Sequence, residues 1–313
     1  MTSTIKVDTI SENTAANGVS IDGVTIKDGG ITATTGAIVF NEASADVDFR
    51  VESNANTHML FVDGGNNKVG IGESANAPMG TLHIKSADSG DTAIDGNNDD
   101  LVIENDNHAG ITISTPNDKV GALYFSDPDA TAMGRIVYDH STDHLSFTVN
   151  NAERMKIDST GAVTMPAQPA VLAISTAAQN DIATGVVKIN LDTEIYDQNS
   201  DFNTGTYTFT APVTGKYMVS GQIGMTDVDT AFQWIYMLFT TSNRIYYMDL
   251  IDPRIEISSD GTHTWTGSAL VDMDANDTLY LATRSSAHGA AQNNITAGTA
   301  TAPETLMSVY LAC

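Results

Sequence analysis

The sequence predicts an all-β protein in which a series of short strands precedes a C-terminal β-sandwich of the jelly-roll type. Charged residues make up only 17% of the 313 residues. Apolar and polar residues alternate over short runs, and the large aromatic residues concentrate after residue 170. Thr, Ser, Asn, Asp and Gly fill most polar positions, and these side chains favour turns and strands because they compete with a helical backbone for hydrogen bonds.

The first 45 residues consist of short alternating runs. Val19 and Ile21, then Val24 and Ile26, alternate with polar residues on either side of an Asp-Gly break at residues 22–23. Alternation with a period of two between glycine turns indicates short strands and not helices.

Residues 46–165 repeat a unit of strand, acidic residue, glycine-containing turn and strand. The first copy ends its leading strand at Asp63, and the second ends it at Asp158. We expect each aspartate to cap its turn by accepting local amide hydrogen bonds. Between the two copies, the alternating runs 135–138 and 145–149 flank a polar tip at 139–144, which predicts a hairpin.

These units have only two or three apolar residues on a face. A lone two-stranded hairpin is marginally stable in water, so we expect their apolar side chains to be buried against neighbouring copies of the chain. The pattern predicts an oligomer without giving the number of chains. Pro166 and Pro169 mark the end of this region, since proline interrupts strand ladders.

Strands become longer and more apolar after residue 170. We predict eight of them, at residues 182–191, 206–210, 216–225, 232–240, 244–251, 264–272, 278–284 and 305–311. Trp234 and Trp265 lie in this part of the chain and supply the bulk that a core requires. Eight such strands separated by turn signals predict a sandwich or jelly roll.

The charge balance argues against several kinds of partner. Fourteen basic and 39 acidic residues give a formal net charge of −25, which repels nucleic acid and anionic membranes. No apolar stretch is long enough to cross a membrane, and the N-terminus has no signal-peptide pattern, so we expect synthesis in a cytoplasm. Cys313 is the only cysteine and therefore forms no intrachain disulfide.

The C-terminal part resembles the trimeric jelly-roll superfamily of the complement component 1q globular head and tumour necrosis factor. The run from Asp197 to Tyr217 carries the likeness, with Phe202, Phe209 and Gly215 at the spacing of the family signature. Residues 277–281 and 309–311 are similar to two later strands of the family. The sequence departs from the pattern at four positions, Leu191, Val219, Gly221 and Asn276.

This resemblance implies a homotrimeric head. It also implies that aromatic residues at Tyr217, Tyr280 and Tyr310 fill the sandwich core or line the threefold axis. Tyr217 is the strongest candidate because it shares a strand face with Val219. Some heads of this family bind calcium, so whether the head binds a calcium ion stays an open question. No other cofactor is expected.

The N-terminal half resembles stalk segments of bacteriophage tail and neck fibres, in residues 48–72 and 99–161. The resemblance implies a virion fibre with three parts. Residues 1–45 would attach to other virion structural proteins, residues 46–165 would form a trimeric β-rich stalk, and residues 166–313 would form the jelly-roll head. The head would bind a glycan or protein receptor on the host surface. The alternative is a structural neck, collar or capsid appendage whose head only holds the trimer together.

Several groups of residues admit a catalytic or metal-binding interpretation beside an ordinary one. His140 and His144 fall at a predicted hairpin tip, which favours solvated turn residues over zinc ligands. Two segments, beginning at Asp95 and Asp272, match the opening of a calcium loop but lack its glycine and its closing glutamate. A polysaccharide-degrading enzyme is the less favoured alternative, since no catalytic motif or uniform β-helix repeat is present, and we expect no enzyme.

Receptor contacts are expected on a long polar segment before the last strand, residues 285–298. Long loops on a rigid sandwich commonly carry recognition, and the candidate ligand-binding residues are His288, Gln292, Asn293 and Asn294. A disordered spacer is the alternative for this segment. For Asp201, Asp227 and Asp229, solvated loop residues are the favoured interpretation and a carbohydrate site is the alternative.

Overall fold

The computed structural model describes residues 24–27, 30–33, 48–72, 77–257, 261–286 and 293–313. Within these residues the chain is almost entirely β, with a single helical turn. It divides into two compact units, residues 1–112 and residues 113–313. None of the described helices is long and apolar enough to cross a membrane.

The first unit contains a hairpin and a five-stranded sheet. The hairpin pairs β1 (Val24–Lys27) with β2 (Gly30–Ala33). The first sheet has the order β3-β4-β5-β6-β7, and its strands are β3 (Phe49–Val51), β4 (Leu60–Asp63), β5 (Lys68–Gly72), β6 (Leu82–Lys85) and β7 (Leu101–Glu104). Strands β3 to β5 are antiparallel, whereas β5, β6 and β7 run parallel.

The second unit begins with an antiparallel sheet of five strands. This second sheet follows chain order, and its strands are β8 (Val120–Phe125), β9 (Gly134–Asp139), β10 (His144–Val149), β11 (Ala152–Ile157) and β12 (Val163–Thr164). The hairpin predicted around residues 139–144 is confirmed, because His144 pairs directly with Asp139. The predicted caps are confirmed as well: Asp63 accepts from the Asn66 amide at 2.8 Å, and Asp158 accepts from the Thr160 amide at 2.9 Å.

The remainder of the second unit is a two-sheet sandwich. Its elements are β13 (Ala170–Ile174), β14 (Gly185–Lys188), β15 (Thr193–Asp197), β16 (Phe202–Asn203), β17 (Thr208–Thr210), β18 (Gly215–Val228), β19 (Ile235–Thr241), β20 (Ile245–Ile251), α1 (Pro253–Glu256), β21 (Gly261–Met273), β22 (Thr278–Ser285), β23 (Asn294–Ile295) and β24 (Leu306–Leu311). Sheet A has the order β15-β13-β24-β18-β21, with β23 beside β18. Sheet B has the order β16-β17-β22-β19-β20, with β14 beside β22.

The inward faces of sheets A and B enclose the hydrophobic core. Trp265, Tyr217, Phe209, Phe232 and Phe239 are among its largest side chains, and all are fully buried. This arrangement of two antiparallel sheets with non-sequential neighbours is a jelly roll. The predicted all-β fold class with a C-terminal jelly-roll sandwich is therefore confirmed.

Gly221 explains one departure from the family pattern. A Cβ atom at this position would lie 2.9 Å from Met237 Cε and 2.9 Å from Phe239 Cε1, both on the opposite sheet. Aromatic bulk at this point of the core is thus supplied by Phe239 of sheet B, which leaves no room for a side chain on β18.

Several elements were not predicted from the sequence. Strand β13 follows directly after the two prolines, and β15, β16 and β23 are short. Two of them pair with strands distant in the chain, since β13 lies beside β24 and β23 lies beside β18. The predicted boundaries near residues 45 and 165 stay predictions.

Candidate functional site

The first sheet exposes an apolar face. Two cross-strand rows on β4 to β7 form it, and they are Val62–Val69–Leu82–Leu101 and Leu60–Ile71–Ile84–Ile103. All eight are at least partly exposed, up to 49% for Leu101. We call these eight residues the first apolar face.

The opposite face of the same sheet is largely buried and carries a cluster of charged and polar side chains beside Phe61, which is 5% exposed. His83 Nε2 lies 2.9 Å from Glu104 Oε2, and Lys85 Nζ lies 3.1 Å from Glu104 Oε1, with the histidine and glutamate side chains 2% and 3% exposed. The Met79 amide donates to His83 Nδ1, which places the ring proton on Nε2, although the alignment toward Glu104 is poor for a hydrogen bond. The sheet therefore has the reverse of the usual arrangement, in which apolar residues are covered and polar ones face water.

Hydrogen bonding stabilises the charges of this polar cluster. Burial raises the pKa of Glu104, but hydrogen bonds from Ser89 and Lys85 outweigh it, and the pKa lies below its ordinary value. Burial lowers the pKa of Lys85, but Glu104 and Asp88 outweigh it, and the pKa is raised. Both groups are therefore charged at neutral pH.

The second sheet repeats this arrangement. Its outward rows are Leu123–Ile136–Phe147–Met155 and Tyr138–Leu145–Ile157–Val163. Leu123 is 50% exposed, whereas Ser146 and Thr148, on the other face, are buried. We call these eight residues the second apolar face.

Sheet A of the sandwich has an outer face without charged residues over three rows. The rows are Ala170–Tyr310–Met218–Leu270, Leu172–Ser308–Ser220–Ser268 and Ile174–Leu306–Gln222–Thr266. Ile174, at the end of the third row, is fully buried. Leu270 and Tyr310 are about half exposed on it. In a chain with a net charge of −25, a broad surface without charge is notable because it is where two copies can approach with the least repulsion. We call it the uncharged face.

The three tyrosines singled out from the sequence lie in three different environments. Tyr217 is fully buried between the sheets, donates to the Val213 carbonyl at 2.7 Å and packs edge-on against Phe209. Tyr310 lies on the uncharged face of sheet A. Tyr280 lies on the outer face of sheet B, where the Lys188 ammonium stands 4.4 Å from its ring centre.

The residues predicted to contact a ligand are not brought together on a described surface. His288 and Gln292 lie outside the described residues. Asn293 is fully buried, so its prediction as a surface ligand-binding residue is wrong: the chain enters strand β23 here and turns this side chain inward. The side-chain nitrogen of Asn294 donates to Asp227 of β18 at 2.7 Å, and its side-chain oxygen accepts from the Asp181 amide, so Asn294 ties β23 to β18 and to the loop at Asp181.

The acidic and histidine candidates take part in local structure. Asp95 accepts from the Asn97 amide at 3.0 Å, Asp272 is paired with Arg244, and His144 contacts the Thr142 hydroxyl. Asp229 accepts from the Ala231 amide. No group of three or more potential metal ligands lies together within the described part of the chain.

Asp201 is the one acidic candidate in an unfavourable environment. Burial, followed by the charge of Asp197, raises its pKa. Asp197 itself accepts from the amides of Asp201 and Phe202 at 3.0 and 2.8 Å. These bonds fix the turn that leads into β16, so Asp197 has a structural role.

Comparisons with known proteins add only structural similarity. No family model matches the sequence, and no curated protein matches it. Among solved structures, the globular domain of zebrafish complement 1qA protein is similar over 47% of this chain and 98% of that chain, with 12% identity and a TM-score of 0.35. Murine APRIL at pH 8.5 is similar over 46% and 98%, with 9% identity and a TM-score of 0.32.

A third similar structure is Eiger TNF from S. frugiperda, over 47% of this chain and 93% of that chain, with 14% identity and a TM-score of 0.31. The strand order of sheets A and B, and not these distant similarities, defines the jelly roll. The class of protein that fold and surfaces support is an all-β protein with a jelly-roll domain and several uncovered apolar faces.

Proposed function

We propose that this chain is a non-enzymatic, homotrimeric fibre protein of a bacteriophage virion. Its first 45 residues attach to other virion proteins, residues 46–165 form the stalk, and the jelly-roll head meets the host surface. The observation that carries the proposal is the exposure of the first and second apolar faces, which together present sixteen apolar side chains.

The exposed apolar faces of the first and second sheets are unfavourable for a single chain in water. Each square ångström of apolar surface left in water costs about 25 cal/mol, and contiguous patches of this kind normally mark interaction surfaces. A net charge of −25 disfavours close approach of copies elsewhere. Association through the apolar faces and the uncharged face removes this surface from water while keeping the acidic surfaces apart.

The proposed trimeric state rests on the resemblance of residues 197–217 to a trimeric family. The proposed assignment to a virion rests on the resemblance of the stalk segments to phage fibres. A trimer also supports adhesion through weak sites. Three copies of a weak site on one fibre, and several fibres on one particle, raise avidity without any tight single contact.

Two measurements test the proposal. Sedimentation equilibrium of the full chain should return three times the monomer mass of 33.1 kDa, and a monomer would contradict it. Antibody labelling of purified particles in the electron microscope should decorate an external fibre, and label confined to infected-cell lysate would contradict the virion assignment. A trimer on the particle that does not adsorb to host envelopes would instead support the structural appendage.

A further inference from the structure

The outer face of sheet B differs from the three faces described above. Its rows are Val186–Arg284–Tyr236–Leu250 and Lys188–Ala282–Leu238–Tyr247. Trp234 lies just before β19, two residues from Tyr236, and therefore shares this face with it. Leu238 and Ala282, in the middle of the second row, are fully buried. The aromatic rings, polar groups and two cations around them share this outer face, which we call the aromatic face.

Three aromatic side chains form a continuous cluster on this face. The ring centres of Trp234 and Tyr236 are 5.3 Å apart, and those of Tyr236 and Tyr247 are 5.0 Å apart. Tyr247 is 46% exposed, and Trp234 and Tyr236 are partly exposed. The strands beneath are held by the β19–β22 and β19–β20 ladders, so the rings are presented on a rigid support.

A guanidinium group lies over this cluster. Arg284 stands 5.6 Å above the Trp234 ring and donates to the Tyr247 hydroxyl. This is its one hydrogen bond within the described residues, while a guanidinium carries five donors. Its other donors are therefore without a hydrogen-bond partner among the described residues, next to partly exposed aromatic rings.

The chemistry of this face matches a carbohydrate. A sugar ring offers C–H groups that pack on an aromatic face and hydroxyls at its rim that accept from a guanidinium and exchange hydrogen bonds with tyrosine. Trp, Tyr and Arg are also the residues that contribute most to binding energy at interfaces. Tyr247 and Leu250 are each about half exposed on this face, and an extended polymer could lie across both.

The same features make this face a poor surface for self-association. The uncharged face of sheet A has aliphatic, small hydroxyl and neutral polar side chains with one tyrosine, Tyr310, and its three rows contain no cation. The aromatic face instead holds Lys188 and Arg284, both stacked on rings. Burial of these cations against an identical surface would bring like charges together, which is unfavourable.

We propose that the aromatic face is the glycan-binding site of the head, with Trp234, Tyr236, Tyr247 and Arg284 as its contact residues. The proposal rests on the proposed function in that the head is taken as the adhesive part. It places recognition on a sheet face and not on the segment at residues 285–298.

The experiment uses the full chain on an array of neutral and uronic-acid-containing oligosaccharides. Wild-type protein should bind at least one member. Tyr247→Ala and Arg284→Gln should each weaken that binding about tenfold, equivalent to about 1.4 kcal/mol. The matched control is Tyr124→Ala, because Tyr124 is an exposed tyrosine with Arg135 at 6.0 Å from its ring centre, in the second sheet.

Tryptophan fluorescence gives an independent readout. Trp265 is fully buried in the core, whereas Trp234 is partly exposed on the aromatic face. Titration with the array-positive oligosaccharide should change the emission of wild type, and Trp234→Phe should abolish the change while retaining the Trp265 signal.

The outcomes separate this inference from the proposed function. Glycan binding that all three variants retain at wild-type strength overturns the aromatic face as the site and leaves adhesion intact. Absence of binding to every oligosaccharide overturns the inference. Protease treatment of host envelopes gives a second test: if it abolishes adsorption of the protein, the receptor is a protein and the inference is also overturned. A monomeric wild-type chain contradicts the proposed function itself.

Discussion

At the scale of single residues, the fold depends on side chains that satisfy two requirements at once. Tyr217 fills the core with its ring and satisfies its hydroxyl at the Val213 carbonyl. Asn276 adopts a φ of 73°, a left-handed conformation that asparagine tolerates better than most residues. This accounts for a second departure from the family pattern, because the turn needs the conformation and not glycine itself.

Substitution of Tyr217 should separate its two contributions. Tyr217→Phe keeps the ring and removes the hydroxyl, so it should lower the free energy of unfolding by about 1 kcal/mol. Tyr217→Ala also removes the ring and should cost about 3–5 kcal/mol. Chemical denaturation of the full chain, followed by the circular dichroism of the sandwich, measures both. Equal losses for the two variants would show that ring packing contributes little.

The buried cluster around Glu104 should make the first unit sensitive to acid. The pKa of Glu104 is lowered in the folded state, so its ionised form stabilises the fold above the ordinary value of 4.5, and this contribution is lost as the pH falls below it. The raised pKa of Lys85 gives the opposite sign: its contribution is present below 10.5 and is lost as the pH rises further.

Glu104→Gln should therefore destabilise the first unit at neutral pH by about 3–5 kcal/mol, because it leaves Lys85 and His83 without their buried partner. It should also flatten the acid limb of the stability profile. The matched control is Glu153→Gln, because Glu153 is exposed and its ion pair with Lys156 is long, at 4.0 Å. Hydrogen exchange of β6 and β7 as a function of pH measures the effect, and an unchanged acid limb would contradict it.

At the scale of elements, both short-strand sheets bury polar groups and expose apolar rows. In the first sheet this follows from the sequence of the strands: β6 reads Leu-His-Ile-Lys and β7 reads Leu-Val-Ile-Glu. Alternation places His83, Lys85 and Glu104 on one face and Leu82, Ile84 and Ile103 on the other. The chain covers the polar face, and the apolar face stays exposed; under the proposed function another copy covers it.

A charge on the first apolar face should prevent assembly without unfolding the sheet. Ile84 is 36% exposed in the single chain, so the sheet of a monomer should still fold with Ile84→Lys. The substitution places an ammonium group inside the proposed interface. We expect loss of the trimer in sedimentation equilibrium. Ile255→Lys is the control, because Ile255 is 81% exposed on helix α1 outside the named faces. A wild-type trimer in Ile84→Lys would show that this face is not an interface.

At the scale of the whole molecule, charge opposes association and apolar surface favours it. Each chain carries a formal charge of −25, so a trimer places three such charges on one particle. Screening reaches about 10 Å at 0.1 M salt and about 30 Å at 0.01 M. Repulsion between copies is therefore long-ranged only at low salt.

Thermal stability of the assembled protein should accordingly rise with ionic strength. We expect a lower melting temperature at 0.01 M than at 0.1 M sodium chloride, and a shift toward monomer in sedimentation at the lower concentration. Isolated residues 166–313 should show a smaller dependence if the stalk contributes much of the repulsion. A melting temperature that falls as salt is added would indicate that attractive ion pairs between copies dominate.

The sequence by itself determined the all-β class, the hairpins with their capping aspartates, and the long strands of the sandwich. These depend on alternation and turn chemistry within a few residues, for example around Asp63 and Asp158. Tertiary structure alone decided which strands are neighbours, since β13 pairs with β24 across more than a hundred residues. It also decided exposure: Asn293 is polar yet buried, whereas Arg284 of β22 meets Trp234 and Tyr247 on one outer face from a distant part of the chain. Local sequence carries no information on such convergence, because the contacts form only when distant strands align in register.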